Sequence, residues 1–196
     1  MDGFQVTRTI RSDTRTSHIP LILLTALNDK KSRIKGWREN IDVYLTKPFD
    51  SEELILQLEN ILIIRNILKK KASQAIASDS IDMTSGLAKL DHQFIKKLMN
   101  VIEKNYSNPQ LLRPQLASLM AVSDKQLQRK TKALVDKNPL DLLREYRLKQ
   151  AVALLKDGYQ VSQTADQCGF NSVNYFSKCF NQQYGMNPKQ YQQTCK

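Results

Sequence analysis

Residues 165–192 read ADQCGFNSVNYFSKCFNQQYGMNPKQYQ, and they contain the clearest structural signal in the C-terminal half of this chain. This stretch contains a small residue, Ala165, a turn at Gly169, and a helix-capping serine, Ser172, with Phe176 four residues beyond that cap. A small residue lets two helices cross closely, and a tight turn sets the second helix at a steep angle to the first. The stretch therefore predicts a helix-turn-helix unit whose second helix follows Ser172.

The same arrangement occurs upstream in LASLMAVSDKQLQRKTKAL, residues 116–134. Here Ser123 is the expected cap and Leu127 lies four residues beyond it, while the downstream copy has one extra turn residue. Between the copies, Pro139 suits the first turn of a connecting helix that we expect to run to about Lys156. Because no strand pattern follows residue 91, we predict that the C-terminal half is all-α.

Polar side chains occupy the outer face of the second helix in each copy. Leu127, Thr131 and Leu134 recur at helical spacing and are expected to face the core, as are Phe176 and Phe180 downstream. The opposite faces carry Lys, Arg, Gln and Asn, which are the residue types that read base edges in DNA. A solvated polar face explains either helix alone, but two such faces after two matching turns favour DNA binding.

Positive charge is concentrated in the same half of the chain. The 196 residues carry a formal net charge of +11; residues 1–90 hold 14 Lys and Arg against 11 Asp and Glu, and residues 91–196 hold 16 against 8. A basic domain attracts an anionic partner, which for a protein of this size is most often nucleic acid. Charge alone does not exclude a membrane surface or a merely solvated face.

The cysteines give no sign of a metal site or a disulfide framework. Cys168, Cys179 and Cys195 form no CxxC pair, and the histidines, His18 and His92, lie far from them in the sequence. The longest apolar run is interrupted by polar residues, and the start of the chain does not resemble a signal peptide. We therefore expect a cytoplasmic protein with no cofactor, metal, catalytic residue, small-molecule substrate or membrane segment.

The N-terminal half alternates strand and helix patterns. The run IPLILLTA, residues 19–26, predicts a strand buried on both faces, and Val43 to Thr46 predicts a second one. Residues 29–40 have helical composition, and a long helix is expected from Ser51, with Asp50 and Glu53 as a capping pair. This alternation indicates a parallel α/β sheet, followed by a Ser- and Asp-rich linker between residues 73 and 91.

Residues 92–193 resemble the DNA-binding domain of the AraC/XylS family of transcription regulators. The resemblance rests on the two stretches quoted above and on NPLDLLREYRLKQAVALLKDG, residues 138–158. It implies two helix-turn-helix subdomains joined by the helix from Pro139, with two recognition helices that enter successive major grooves. Thr131 and Thr164 depart from the pattern, since the family usually has larger apolar residues there. The positions that match candidate DNA contacts are Lys125, Gln126, Gln128, Arg129 and Lys132 in the first subdomain, and Ser172, Asn174, Tyr175 and Lys178 in the second.

The N-terminal half resembles the second half of a response-regulator receiver domain. The residues that carry this resemblance are MDGFQVTRTIRSD at 1–13, HIPLILLTA at 18–26 and YLTKPF at 44–49. It implies that Thr25 matches the hydroxyl that senses phosphorylation and that Lys47, followed by a cis proline, matches the lysine that pairs with the phosphoryl group. The family's phosphoacceptor aspartate and acidic metal-binding pair precede the matched segment, so we expect no phosphoacceptor here and treat Thr25 and Lys47 as switch remnants.

These observations predict a mainly α protein: an all-α double helix-turn-helix domain of about seven helices after a partial α/β receiver fragment with about two parallel strands. The expected divisions are a partial receiver at 1–70, a linker at 71–90 and the DNA-binding domain at 91–196. We expect a fragment or truncated product of a hybrid two-component regulator that binds double-stranded DNA. In a full-length form its partner would be a sensor kinase module.

Two other functions compete with this interpretation. Enzymatic activity would take the form of receiver autophosphorylation, and the missing aspartate argues against it. Alternatively, the chain is a dimerising interaction fragment of a signalling protein, with an inactive receiver piece, whose helix 51–71 pairs with a second copy. The predicted seam of that homodimer comprises Leu54, Leu58, Ile61 and Leu68, with Arg65 interrupting it.

Overall fold

The computed structural model describes residues 2–26, 30–77 and 89–194, and it divides into two compact units. The first unit comprises residues 1–96 together with 129–136, and the second comprises residues 97–128 together with 137–196. The elements of the N-terminal half are α1 (Gly3–Ser12), β1 (Ile22–Thr25), α2 (Lys30–Arg38), β2 (Val43–Thr46) and α3 (Ser51–Ala77). The C-terminal half contains α4 (Lys89–Asn105), α5 (Arg113–Met120), α6 (Asp124–Val135), α7 (Pro139–Lys156), α8 (Val161–Gln167), α9 (Val173–Tyr184) and α10 (Pro188–Thr194).

The two strands form a parallel pair, as the sequence predicts, but the first strand is not buried on both faces, since Leu24 is 39% exposed and the other three residues are half-buried. Ile22 lies opposite Val43, and Thr25 lies opposite Thr46. The first strand is shorter than the apolar run because side chains bind the backbone just before it. Arg11 Nη1 donates to the carbonyl oxygen of Ile19 at 2.7 Å, and Asp42 Oδ2 accepts from Leu21 N at 2.8 Å.

The helix α3 is longer than its sequence pattern indicates. It begins at Ser51, where Asp50 Oδ1 accepts a hydrogen bond from Glu52 N at 2.7 Å, rather than from the expected partner at position 53. It continues to Ala77, through the first residues of the predicted linker, because that segment has no helix breaker and two of its apolar side chains, Ala72 and Ile76, are buried. The remainder of the predicted linker, residues 78–88, lies outside the described residues.

Aromatic rings form the centre of the second unit. Phe170, Phe176 and Phe180 are buried, with ring centroids 5.0 Å apart for the first pair and 5.7 Å apart for the second. Tyr184 and Tyr191 are half-buried against the Phe180 ring, at 4.6 and 5.5 Å. This cluster packs with apolar residues of α7 and α8, so the second helix-turn-helix has a core of its own.

The predicted fold class is confirmed by the structure. The described part of the C-terminal half consists of the seven helices α4 to α10, and the described N-terminal half contains a two-stranded parallel sheet with helices. The Lys47–Pro48 peptide bond is cis, as the receiver resemblance implies.

Candidate nucleic-acid interface

The two helix-turn-helix units have the same backbone hydrogen bond across their turns. Val122 N donates to the carbonyl oxygen of Ala117 at 3.0 Å, and Phe170 N donates to that of Ala165 at 3.0 Å. Each bond therefore returns to the small alanine that the sequence repeat singled out. The turn residues differ. The left-handed position is occupied by Ala121, with φ 57°, in the first helix-turn-helix and by Gly169 in the second.

A serine caps the start of the second helix in each helix-turn-helix. We call this second helix the recognition helix. Ser123 Oγ accepts from Gln126 N at 3.3 Å before α6, and Ser172 Oγ accepts from Tyr175 N at 3.2 Å before α9. A side-chain acceptor here satisfies one of the backbone N–H groups that a helix start leaves without a partner. Both caps predicted from the sequence are present.

The recognition helix α6 separates its apolar and polar residues as expected. Leu127, Thr131 and Leu134 are buried, whereas four of the five candidate contacts on this helix are exposed: Lys125, Gln128, Arg129 and Lys132. The fifth, Gln126, is half-buried, and its Oε1 accepts from Ser123 N at 3.0 Å. Its side chain therefore belongs to the helix cap, which leaves less of it available for a ligand.

Arg113 is a functional candidate that sequence reasoning missed. Its Nη2 donates to Asp124 Oδ2 at 2.7 Å and its Nη1 donates to Gln128 Oε1 at 3.3 Å. The hydrogen bond and charge of Asp124 raise the pKa of the arginine, so the guanidinium stays charged. Arg113 thus holds the side-chain amide of Gln128 from outside the recognition helix, 15 residues away in the sequence.

The recognition helix α9 presents its candidate contacts to solvent. Asn174, Tyr175 and Lys178 are exposed, as is the cap Ser172, while Phe176 on the opposite face is fully buried. The Tyr175 ring lies 6.2 Å from that of Phe170. Its fixed ring and exposed edge suit a contact with a polar surface.

A groove of about 400 Å³ lies between residues of the two recognition helices within the second unit. Its lining includes Gln128 of α6 and Tyr175 of α9, and three arginines, Arg113, Arg144 and Arg147. Burial lowers the pKa of Arg144, but a hydrogen bond with Tyr175 and the charge of Asp141 outweigh it, so the net shift is upward. The groove combines donors with positive charge, which is the chemistry that recognises anions.

The receiver remnants lie together at the carboxyl ends of the two strands. Thr25 ends β1, and Lys47 follows β2, with Lys47 N donating to the Thr25 carbonyl oxygen at 2.7 Å. Among the described residues, no group of three or more His, Cys, Asp or Glu side chains could hold a metal ion.

Cys168 is buried in the second helix-turn-helix. Burial raises the pKa of its thiol to about 11, so the thiol is protonated at neutral pH.

Comparison with known families matches both halves of the chain. Residues 1–59 match the response regulator receiver domain, and residues 116–194 match a helix-turn-helix domain family. Within the described residues, no helix is both long enough and apolar enough to cross a membrane.

Individual relatives match either almost the whole chain or one part of it. A protein named histidine kinase P4 from Formosa agariphila is 35% identical over 193 residues, which cover 98% of this chain and 14% of that protein. The master transcriptional regulator RpaA from Synechocystis is 44% identical over 62 residues, 32% of this chain and 26% of that protein. The solved C-terminal domain of the response regulator yesN from Fusobacterium nucleatum is 29% identical, covers 51% of this chain and 98% of that domain, and has a TM-score of 0.49.

Proposed function

We propose that this chain, a response regulator receiver segment followed by an AraC-type helix-turn-helix domain, is a sequence-specific DNA-binding transcriptional regulator and the output module of a two-component system. The observation that carries the proposal is the repeated turn. Two turns with the same hydrogen bond back to an alanine are each followed by a serine-capped helix with an exposed polar face. A helix presented in this way fits the major groove.

Base reading is assigned to exposed side chains on the two recognition helices. Arg129 on α6 and Lys178 on α9 suit guanine, Asn174 suits adenine, and Gln128 is held in place by Arg113. Lys132 Nζ donates to the Asp136 carbonyl oxygen at 3.0 Å, so we assign it to phosphate contact rather than base reading. The remaining candidates, assigned to positioning on the backbone, are Lys125, Gln126, Ser172 and Tyr175.

We also propose domain boundaries, a cellular location and a signalling partner for this chain. We divide the chain into a receiver segment at 1–70, a connector at 71–90 and a DNA-binding domain at 91–196, in a cytoplasmic protein without enzymatic activity. A sensor kinase module is the proposed signalling partner, since the chain is similar along almost its whole length to a protein named histidine kinase and spans 14% of that protein's length.

Selection of bound duplexes from a random pool, followed by footprinting, tests this function. Two recognition helices in one chain should lie about one helical turn apart, roughly 10 bp centre to centre. One monomer should then protect about 20 bp without a palindrome. Recovery of no preferred sequence, or a footprint confined to one short segment, would contradict the proposal.

Self-association through α3 is a second candidate function, favoured by its exposed apolar side chains. These are Ile55, Leu56, Leu58, Leu62, Ile63, Ile64 and Ile67, each between 44% and 59% exposed. The seam predicted from the sequence shares only Leu58 with this set. Ile61 is buried within the first unit, and Arg65 donates to Asp42 Oδ1 at 3.0 Å. This number of exposed apolar side chains on one helix favours a protein partner, and we propose a second copy.

Light scattering at several protein concentrations tests the dimer. Leu62→Glu should shift the chain to monomer, because it places a charge among the exposed apolar side chains of α3. A monomeric wild-type chain at high concentration would rule out this second function and leave DNA binding by the monomer unaffected.

A further inference from the structure

Of the three arginines that line the groove between the recognition helices, one pairs with no carboxylate among the described residues. Arg113 pairs with Asp124, and Arg144 Nη2 lies 2.7 Å from Asp141 Oδ1. Arg147 instead donates from Nε to the Tyr106 carbonyl oxygen at 2.8 Å and from Nη2 to the Asn108 carbonyl oxygen at 2.7 Å. Within the described part of the chain, Arg147 forms no ion pair with a carboxylate, so its positive charge is uncompensated.

This charge is also partly removed from water. Arg147 is half-buried, its guanidinium lies 5.9 Å from the Phe170 ring centroid, and burial lowers its pKa. An arginine nevertheless stays protonated at neutral pH. Burying a charge is costly unless it is paired, so an anion bound from outside the protein would stabilise the Arg147 guanidinium.

The other polar groups around the groove do not cancel this charge. Asp141 is the acidic side chain in the lining, and both of its oxygens are engaged: Oδ1 by Arg144 and Oδ2 by Asn138 Nδ2 at 3.1 Å. Asn171 is exposed at the rim and can donate from its amide. The groove therefore has one arginine without a carboxylate partner among the described residues, two arginines that are paired with carboxylates, and a neutral donor.

We propose that this groove binds a backbone phosphate of the DNA duplex, at the point where the backbone passes between the two major grooves. This inference rests on the proposed function and adds a site to it. The groove includes Gln128 of one recognition helix and Tyr175 of the other, so a duplex read by both helices brings its backbone to this place. Arg147 supplies the unpaired charge, Arg144 adds a guanidinium beside it, and Asn171 supplies a hydrogen bond.

The site fixes the register of the protein on DNA and reads no base, because phosphate oxygens carry no sequence information. Its loss should weaken binding to every sequence by a similar factor. Each phosphate contact contributes about 0.9 to the slope of log affinity against log salt concentration. The salt dependence therefore gives a readout that a base contact would not share.

Arg144→Gln and Asn171→Asp are the test variants, since Arg147 also holds two backbone carbonyls. The first removes a charge from the groove, and the second adds a carboxylate that can pair with Arg147 in place of phosphate. Both should lower affinity for a selected and a random duplex by the same factor and reduce the salt slope by about one. The matched control is Lys156→Gln, which removes an exposed positive charge at the far end of α7 and should leave the slope unchanged.

Thermal melting of each variant confirms that the fold is kept. If wild type binds the selected duplex but both groove variants keep its salt slope, or alter the preference at one base position, this inference is wrong and the proposed function stands. If wild type shows no preference for any duplex, the proposed function itself fails. Binding of inorganic phosphate that Asn171→Asp abolishes, with the DNA salt slope unchanged, would assign the groove to a free phosphate group and overturn the proposal.

Discussion

Gly169 lies directly against the backbone carbonyl of Tyr106: a Cβ at position 169 would stand 2.5 Å from that oxygen. The same carbonyl oxygen accepts the hydrogen bond from Arg147 Nε. The turn of the second helix-turn-helix and the segment that follows α4 are therefore in backbone contact. This contact leaves no room for a side chain at position 169. The left-handed φ of 73° at this position is a second, independent reason for glycine.

Gly169→Ala should destabilise the protein more than the same change at other left-handed glycines. A left-handed alanine costs about 1 to 2 kcal/mol, and the clash with the Tyr106 carbonyl adds to it. Gly158→Ala and Gly185→Ala are matched controls, because both have positive φ but no heavy atom within 4 Å of the added Cβ. Urea denaturation of the three variants measures the difference. Equal losses at all three positions would show that the close contact is not a constraint.

Thr164→Val should stabilise the protein by about 1 kcal/mol. The side chains of Thr131 and Thr164 are fully buried, and their hydroxyls have no hydrogen-bond partner among the described residues. Replacing an unsatisfied hydroxyl by a methyl group removes a desolvation penalty. Thr7→Val is the control and should destabilise, because Thr7 is also buried but its Oγ1 donates to the Gly3 carbonyl oxygen at 3.0 Å. The idea fails if both variants change the unfolding midpoint in the same direction.

Lys130→Met should cost about 3 to 5 kcal/mol, the penalty of leaving a buried charge without its partner. Lys130 Nζ lies 3.0 Å from Asp91 Oδ1, and both side chains are almost completely buried. The exposed pair Lys132–Asp136 on the same part of the chain is a matched control, and Lys132→Met should cost under about 1 kcal/mol. Adding Asp91→Asn to Lys130→Met should recover part of the loss. Similar costs for the two lysines in chemical denaturation would contradict this assignment.

His18 should make stability fall as the solution becomes acidic. Burial lowers the pKa of His18 below its ordinary value of 6.5, although the charge of Asp91 opposes this. Because the unfolded chain then binds the proton more readily, the contribution of His18 is complete above about pH 6.5 and is lost as the pH falls. Wild type should therefore lose more stability than His18→Gln between pH 7.5 and pH 5. Parallel stability curves for the two proteins would show that His18 is not responsible.

Local patterns in the sequence predicted much of this fold. The connecting helix runs over Pro139–Lys156 and the second strand over Val43–Thr46, as expected, because each has a periodic apolar pattern and a clear start signal. The two serine caps and their alanines were also identified, since these features depend on residues at most a few positions apart. Three-dimensional packing was not needed to find them.

The missed features depend on contacts between distant residues. Arg147 reaches carbonyl oxygens 41 and 39 residues away, and Lys130 reaches Ser17 Oγ across 113 residues. In the sequence both side chains look like ordinary charges on helix surfaces. The close contact that requires glycine at position 169 is hidden for the same reason, since its partner at position 106 is on another segment.

We propose that Arg129 and Lys178 read bases, and binding to a complete set of single-base variants of the selected site measures whether they do. Arg129→Ala and Lys178→Ala should each lose about 1 to 3 kcal/mol at the preferred site and relax the preference at one base position, with the two positions in different halves of the site. Lys104→Ala, an exposed charge outside both recognition helices, should leave every base preference unchanged. If Arg129→Ala and Lys178→Ala instead lowered specific and random-sequence affinity by the same factor, with every base preference intact, neither residue would read DNA.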